Sequence, residues 1–539
     1  MQGAPARRRQ PGTIHRNSHM NPLTAVRKVV GLARFARNLR GFLDEPLTLD
    51  EAVENLENGV RRREQRFLEK LQSVVYGCPK SPYYQLLHAA GYELEEVCRL
   101  VNSEGLEGAL EQLAAHGVFV SYEEFKGVTP AVRGSRTFHF QPADFDDPSQ
   151  KGELFSTSGG SRGRPVATVG SLAFIAQMTP HWAAFFAEND CLDKPLTFWT
   201  PGHAGATGRH LWCAKIGRTY VHWFLSEEMS ASKDRIYSAC KRWLATREGG
   251  FAPPIAASYN RPEVVLNPML ALLAQGAASM NTTPSAAVKL SLAAQSRGVS
   301  LSGLVFLLGA EPLTPDRRTA IEASGARATP LYGSTEATWI GGQCRQPQHP
   351  DEVHVLLDSY AVILDPHSEP DPDGGGGLLM TALQPLTNKV LLNTDIGDRG
   401  ILGQRRCDCL YDRLGCTTTI HTIRSSDKIT EYGVNIAVSD VFQVLENDLP
   451  RRFGGTAGDY QLVESRNASG LPRYTLRIDP VVPPQENSAI ISAFLTDLSR
   501  RKSYYGYMTA IFQKENLLRV ERAALVPTPR GKILPFYRQ

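Results

Sequence analysis

The run Leu304-Val305-Phe306-Leu307-Leu308, closed by Gly309-Ala310-Glu311-Pro312, decides the fold. The apolar run reads as a strand. The Gly-Ala-Glu-Pro that ends it is a loop at the strand's C-terminal end, where open α/β sheets hold their ligands. Similar short apolar runs stand on both sides of it, at Leu196–Trp199, Thr219–Phe224, Val353–Leu357, Ala361–Leu364 and Leu378–Thr381. Helical stretches separate them, and that alternation predicts an α/β fold.

Upstream, residues 21–75 place apolar residues at helical spacing and are expected to be mostly helix. Ser81-Pro82-Tyr83-Tyr84 opens a further helix, with Ser81 as its cap and Pro82 in the first turn. Downstream, Asp371-Pro372-Asp373 and Gly374 to Gly377 form a hairpin turn. After Cys416 the texture becomes a compact α+β pattern, and a domain boundary is placed near Arg424. Residues 1–20 are expected to be a disordered leader or a cloning remnant, 21–423 the larger domain and 424–539 the smaller.

The 539 residues are 42% apolar and 21% charged, with a net charge of +4. Such a composition excludes a fibrous or mostly disordered chain. The basic residues are scattered, so no nucleic-acid partner is expected. No apolar stretch is long enough to cross a bilayer, and no apolar core follows the arginines at 7–9, so neither a membrane span nor a secretory signal is expected. The nine cysteines are therefore read as reduced thiols of a cytoplasmic protein.

Five motifs carry chemistry. Ser156-Thr157-Ser158-Gly159-Gly160-Ser161-Arg162-Gly163-Arg164-Pro165 combines flexible glycines, hydroxyl donors and two arginines, which is what a loop around a triphosphate needs. It is not a Walker loop, and a polar surface loop has the same composition. Leu331-Tyr332-Gly333-Ser334-Thr335-Glu336 offers a ring to stack on a base and a carboxylate to hold Mg²⁺. A strand-end turn with local hydroxyl bonds reads equally well. Gly309-Ala310-Glu311 lines the loop already described, and Asn393-Thr394-Asp395-Ile396-Gly397-Asp398 offers a carboxylate to a ribose diol. Pro529-Arg530-Gly531-Lys532 places one lysine near the C-terminus.

In this order, over residues 156–532, the motifs resemble those of the adenylate-forming superfamily of acyl-CoA ligases, adenylation domains and luciferases. Gly309–Pro312 with Leu331–Glu336, and Ser81–Tyr84 with Ala89–Glu93, look most like the phenylacetate-CoA ligase branch. The resemblance implies a large N-terminal domain with mixed sheets and flanking helices, and a small mobile α+β C-terminal domain. It implies that ATP, Mg²⁺ and a small acid form an acyl-AMP, and that coenzyme A takes the acyl group. Thr157, Ser158, Gly159, Gly160, Ser161 and Gly163 would embrace the β- and γ-phosphates. Gly309, Ala310 and Glu311 would line the adenine pocket, with Tyr332, Gly333 and Ser334 beside the base. Thr335 would meet the α-phosphate and Glu336 would hold Mg²⁺. Asp395, helped by Arg424, would take the ribose hydroxyls, and Lys532 would bridge the acid and the α-phosphate.

The sequence departs from the pattern at five places, one of them Thr430, which stands where a lysine is frequent. Arg162 is an extra residue in the phosphate loop, and Val166 stands where a lysine is common. Leu391–Asp395 lacks the usual Gly before Asp, and Ser426 stands where the hinge Asp is usual. None removes Glu336, Asp395 or Lys532, so the departures bear on the second half-reaction more than on adenylation.

Cys344 and His349 follow the second motif, and Cys407-Asp408-Cys409 follows the fourth. Three thiolates and an imidazole make a closed, structural Zn²⁺ set, with His354 and Cys416 as spare ligands. Four unrelated loop residues in a reducing cell are the alternative. For the acid, the resemblance points to Trp199, His203, Trp223 and Ser258, and to an aromatic acid of secondary metabolism or catabolism. Other acceptors remain open, namely an acyl-carrier protein thiol or an amine. So do activation of an unusual oxyanion, a non-catalytic nucleotide-binding regulator, and a homodimer.

Overall fold

The computed structural model describes residues 33–35, 37–149, 154–157, 167–200, 206–225, 254–259, 261–371, 373–425, 428–431, 434–456, 458–501, 505–527 and 533–539. At its centre is a mixed sheet of twelve strands among the described residues. In chain order these are β1 (Leu196–Thr200), β2 (Tyr220–Leu225), β3 (Pro254–Ala256), β4 (Ala278–Thr282), β5 (Leu304–Leu308), β6 (Arg327–Ser334), β7 (Thr338–Gly342), β8 (Val353–Val355), β9 (Tyr360–Leu364), β10 (Gly376–Ala382), β11 (Thr394–Gln404) and β12 (Thr418–Arg424). Across the sheet they lie β9-β10-β11-β12-β8-β7-β6-β5-β4-β1-β2-β3.

The half from β3 to β6 is parallel. From β6 to β9 every pairing is antiparallel. Parallel strands need both faces covered, and β1, β4 and β5 are buried at every position. Alternate residues feed two separate cores. Phe198, Trp223, Val305 and Leu307 pack on one side, and Trp199, Phe224, Phe306 and Leu308 on the other.

The crossover helices start where the sequence provides a hydroxyl cap followed by proline. Thr283 accepts from Ala286 N–H ahead of helix Pro284–Ser296, and Thr314 accepts from Arg317 N–H ahead of helix Pro315–Glu322. The N-terminal helices include Leu49–Arg61, opened by a Thr48–Glu51 capping box, and Arg63–Lys70. Ser81 does precede the helix Pro82–Ala90, but its hydroxyl makes no capping bond. The rigid Pro82 supplies the start, and the helix leaves through Gly91 at φ +81°.

The C-terminal part is a hairpin (Lys428–Glu431 with Val434–Ala437) followed by a four-stranded mixed sheet. That sheet runs Leu518–Arg522, Pro472–Ile478, Tyr460–Arg466, Phe536–Arg538, backed by helices Asn487–Ser499 and Tyr505–Lys514. Its Asn467–Leu471 turn rests on the larger part. The fully buried Arg317 donates to the Gly470 carbonyl at 2.9 Å and to Glu311 at 3.0 Å. Gly470 sits at φ +71°, and a Cβ there would lie 2.6 Å from Arg317 Cγ. Removing one partner from a buried ion pair leaves the other charge uncompensated. Arg317→Met is therefore expected to lower stability by about 3–5 kcal/mol, read by calorimetry. No helix among the described residues is long and apolar enough to cross a membrane.

Candidate active site

The second motif forms the turn between β6 and β7, at the seam between the parallel and antiparallel halves of the sheet. Gly333 is required there, because a Cβ would sit 2.0 Å from the Thr338 carbonyl oxygen. Ser334 Oγ accepts from Ala337 N–H at 3.0 Å, so this hydroxyl is engaged in its own turn. The Thr335 carbonyl accepts from Asn388 Nδ2 at 3.2 Å. Tyr332 is buried, and its hydroxyl donates to Asp398 at 3.0 Å. Burial and the neighbouring Asp398 push its phenol well above the ordinary range. Glu336 accepts a 2.7 Å bond from Lys126 Nζ, with the two side chains 11% and 7% exposed.

The fourth motif opens β11. Asp395 Oδ1 accepts from Gly397 N–H at 2.6 Å, and Asp395 N–H donates to the Val120 carbonyl at 2.9 Å. Burial pushes the Asp395 carboxyl up to about 7, aided by the nearby carboxylates of Asp398, Asp365 and Glu123 and opposed by the Gly397 bond. Arg424, expected to help Asp395 at the ribose, is drawn to other carboxylates. It forms ion pairs with Asp371 at 2.8 Å and Asp373 at 3.6 Å. The Tyr332–Asp398 bond ties the two motifs together, and so does one short segment. Val120 pairs with Thr394, and six residues later Lys126 reaches Glu336.

The Gly309 loop leaves the C-terminal end of β5, as the sequence predicts. Glu311 turns away from solvent to accept from Ser285 N–H at 3.1 Å, Ser285 Oγ at 2.8 Å and Arg317. Ala310 has φ +69° and Thr338 φ +64°. Together with Asn393 and Asp408, they make four of the seven non-glycine residues with positive φ among those described. Asn and Asp tolerate this region, whereas Ala and β-branched Thr do not. Such strain persists only where the surroundings enforce it, and here it marks the candidate loops.

Leu154–Thr157 pairs antiparallel with Ala167–Gly170, with Thr157 opposite Ala167. Ser158, Gly159, Gly160, Ser161 and Gly163 lie between these strands, outside the described residues, as do His203 and Lys532. The four residues expected at the acid pocket do not share one face of the sheet where they are described. Trp199 pairs with Phe224 and Trp223 with Phe198, so the two indoles project from opposite faces of the sheet. Trp199 donates to the Ala257 carbonyl at 3.2 Å beside the buried Ser258, and Trp223 packs edge-on against His210.

The Cys/His cluster forms, with one correction. Cys344, Cys407 and Cys409 converge on His354, and their ligand atoms all lie within 4.8 Å of one another. His349 is not a member and stacks on His421 at 3.7 Å. The reason is strand pairing. His349 is nearer to Cys344 in sequence, but β8 sets His354 opposite Gly342, two residues from Cys344. His354 Nε2 lies 3.5 Å from Cys407 Sγ and 3.7 Å from Cys409 Sγ, while Cys407 and Cys409 are 3.1 Å apart. His354 Nδ1 donates to the Cys416 carbonyl at 2.8 Å, which leaves the Nε2 lone pair facing the thiols. A tetrahedral ion with Zn–S of about 2.3 Å sets its ligand atoms roughly 3.5–3.8 Å apart, so the two His354 distances fit zinc and Cys407 and Cys409 would have to part slightly. Glu188 braces both loops, accepting from Arg345 N–H at 3.1 Å and Leu410 N–H at 2.8 Å.

No protein-family model matches the chain, and no curated protein compared with it does. Solved structures do. 2-Hydroxyisobutyryl-CoA ligase, in complex with 2-HIB-AMP and CoA in the thioesterification state, aligns with a TM-score of 0.51 and 16% identity over 89% of this chain and 90% of that one. The chain shares the fold of that ligase. The same ligase in its postadenylation state gives a TM-score of 0.43 at 16% identity, over 89% of both chains. An amide bond synthetase from Marinactinospora thermotolerans gives 0.40 at 13% identity, over 90% of this chain and 98% of that one.

Within this fold, four residues that sequence reading did not assign to the site support it. Lys126 pairs with Glu336, Asp398 holds Tyr332, Arg317 holds Glu311, and His354 completes the thiol cluster. His354, kept as a spare ligand, and Asp398, the last residue of the fourth motif, had a local signal. A lysine 210 residues from its carboxylate has none.

Proposed function

We propose that this chain is an ATP-dependent ligase that converts a small, aromatic carboxylic acid into its acyl-AMP and then transfers the acyl group to coenzyme A. The observation that carries this reading is the joining of the Tyr332–Glu336 and Asp395–Asp398 loops. They meet through the Tyr332–Asp398 hydrogen bond at the seam of the sheet. Their order in the chain is the one the adenylation pattern requires.

Attack of a carboxylate on the α-phosphate of ATP is opposed by the repulsion of two anions. Glu336 offers hard carboxylate oxygens in a nearly dry setting, which suits Mg²⁺, and the ion would neutralise phosphate charge as it develops. In this reading Lys532 brings an ammonium to the acid and the α-phosphate, and the Ser/Gly loop between Thr157 and Ala167 wraps the leaving pyrophosphate. Asp395 receives the ribose hydroxyls. The Cys344, His354, Cys407 and Cys409 set would hold Zn²⁺ as a brace between two loops and take no part in the chemistry. The altered hinge at Ser426 directs the test toward the acceptor as well as the acid.

Acid-dependent exchange of labelled pyrophosphate into ATP, run without coenzyme A over aryl, short-chain and long-chain acids, tests the first half-reaction. Exchange with aryl acids is the expected result. Exchange with short-chain or long-chain acids alone removes the aromatic assignment. ATP binding without exchange for any acid favours the regulator reading. Product analysis with coenzyme A, carrier protein and amine then identifies the acceptor.

The raised pKa of Asp395 sets a sign. Its folded value of about 7 lies above the unfolded value of about 3.9, so the folded chain holds the proton more tightly. Native stability from this group is full below about pH 4 and is lost as pH rises to about 7. Asp395→Asn should therefore raise the thermal midpoint at pH 8, by the equivalent of about 1–2 kcal/mol for a partly screened group, and not at pH 4. ATP affinity of the unaltered protein should strengthen through pH 7, as the acceptor carboxylate forms. The Asn variant should lose that pH dependence in a calorimetric titration.

A further inference from the structure

We propose that Lys126 is a gating counter-ion for the metal carboxylate, holding Glu336 closed to free divalent cations until a nucleotide arrives; this rests on the reading of Glu336 as the Mg²⁺ ligand. The ammonium lies 2.7 Å from Glu336 Oε1. A divalent cation in contact with the same carboxylate would sit about 2.1 Å from its oxygen. Two cations cannot share so small a volume in a nearly dry setting without strong repulsion. Free metal on Oε1 must therefore displace Lys126, and metal on Oε2 would stand close to the same ammonium and be repelled by it.

The fold holds the lysine at this post. Ser121 and Glu124 form a capping box that starts the turn Tyr122–Phe125, and Lys126 N–H closes it on the Tyr122 carbonyl at 3.0 Å. The ammonium stands 5.2 Å from the Tyr122 ring and 5.4 Å from the Phe125 ring, both within cation–π range. The nearest carboxylate in sequence does not compete for it. Glu124 is held by Arg133 through bonds of 2.9 and 3.0 Å, and Arg133 itself lies over Phe119. The same segment touches the ribose motif, through Asp395 N–H to the Val120 carbonyl. Residues 118–126 thus contact both halves of the nucleotide site. A polyphosphate changes the balance, because its negative charge accommodates the ammonium and the metal together. The metal is then admitted with the nucleotide and not before it.

The test is a titration of the full chain with Mn²⁺ alone, followed by electron paramagnetic resonance of the free ion. Wild type, Lys126→Met, Lys126→Arg and the double variant Lys126→Met/Glu336→Gln are compared without nucleotide. Lys126→Met is expected to gain a Mn²⁺ site at least tenfold tighter than wild type. Lys126→Arg should behave as wild type, and the double variant should lose the gain. An unchanged Mn²⁺ affinity in folded Lys126→Met overturns the proposal, as does a gain that survives in the double variant. If the methionine variant does not fold, Lys126→Gln keeps a donor toward Glu336 without the charge and is read the same way. A parallel arm with Mn²⁺ and ATP separates the two claims. Nucleotide-dependent Mn²⁺ binding that Glu336→Gln abolishes supports the site even when Lys126 fails. Its absence from wild type removes the site, and with it the gate.

Discussion

Glu336→Gln is expected to lower acid-dependent pyrophosphate exchange by about 10²–10³-fold, the scale on which loss of one preorganised electrostatic contact acts in a transition state. The carboxylate is the proposed seat of Mg²⁺, and the amide removes its charge while keeping its size. The same change leaves the Lys126 ammonium, 7% exposed, without its carboxylate, so stability should fall by up to about 3–5 kcal/mol as well. The two effects separate in a double-variant cycle. Lys126→Met/Glu336→Gln removes both buried charges and should recover much of the lost stability without recovering exchange. Lys532→Ala is expected to lose exchange on a similar scale with an unchanged thermal midpoint. Full acyl-AMP formation by either single variant would remove that residue from the proposed chemistry.

The second large effect concerns the thiol cluster. Purified protein is expected to carry about one zinc per chain by elemental analysis, because three thiolates and an oriented imidazole form a closed tetrahedral set. His354→Ala and Cys409→Ser should each lose the ion, whereas His349→Ala should keep it, since His349 is stacked on His421 instead. Loss of the ion frees two loops whose ends are otherwise pinned, Cys344 after β7 and Cys407–Cys409 between β11 and β12. Metal binding and folding are thermodynamically coupled, so loss of the ion should cost several kcal/mol. A strong chelator should lower the thermal midpoint of wild type and His349→Ala and leave His354→Ala unmoved. Full zinc content in His354→Ala would return the ligand assignment to His349.

The reading of local elements from the sequence rests on periodicity and punctuation. Leu304–Leu308 is a buried strand with the Gly309 loop at its end, Pro82 opens the helix Pro82–Ala90, and Asp371 and Gly374 belong to the turn of a hairpin. Strand limits drift where neighbours decide them. The apolar run at Val353–Leu357 is a strand only as far as Val355; Leu356 N–H still donates to the Ile340 carbonyl, and Leu357 enters the turn toward β9.

What the sequence determined by itself was the α/β class and the order of the motif loops, since both follow from contacts a few residues apart. Tertiary structure alone decided which side chains meet. Strand alternation sends Trp199 and Trp223 to opposite faces, although both stand on strands beside each other. Antiparallel pairing of β7 with β8 selects His354 over the closer His349. Arg424 turns to Asp371, and Lys126 reaches Glu336 from the N-terminal region. Each of these depends on register and on charges brought together from distant parts of the chain, and no local pattern encodes either.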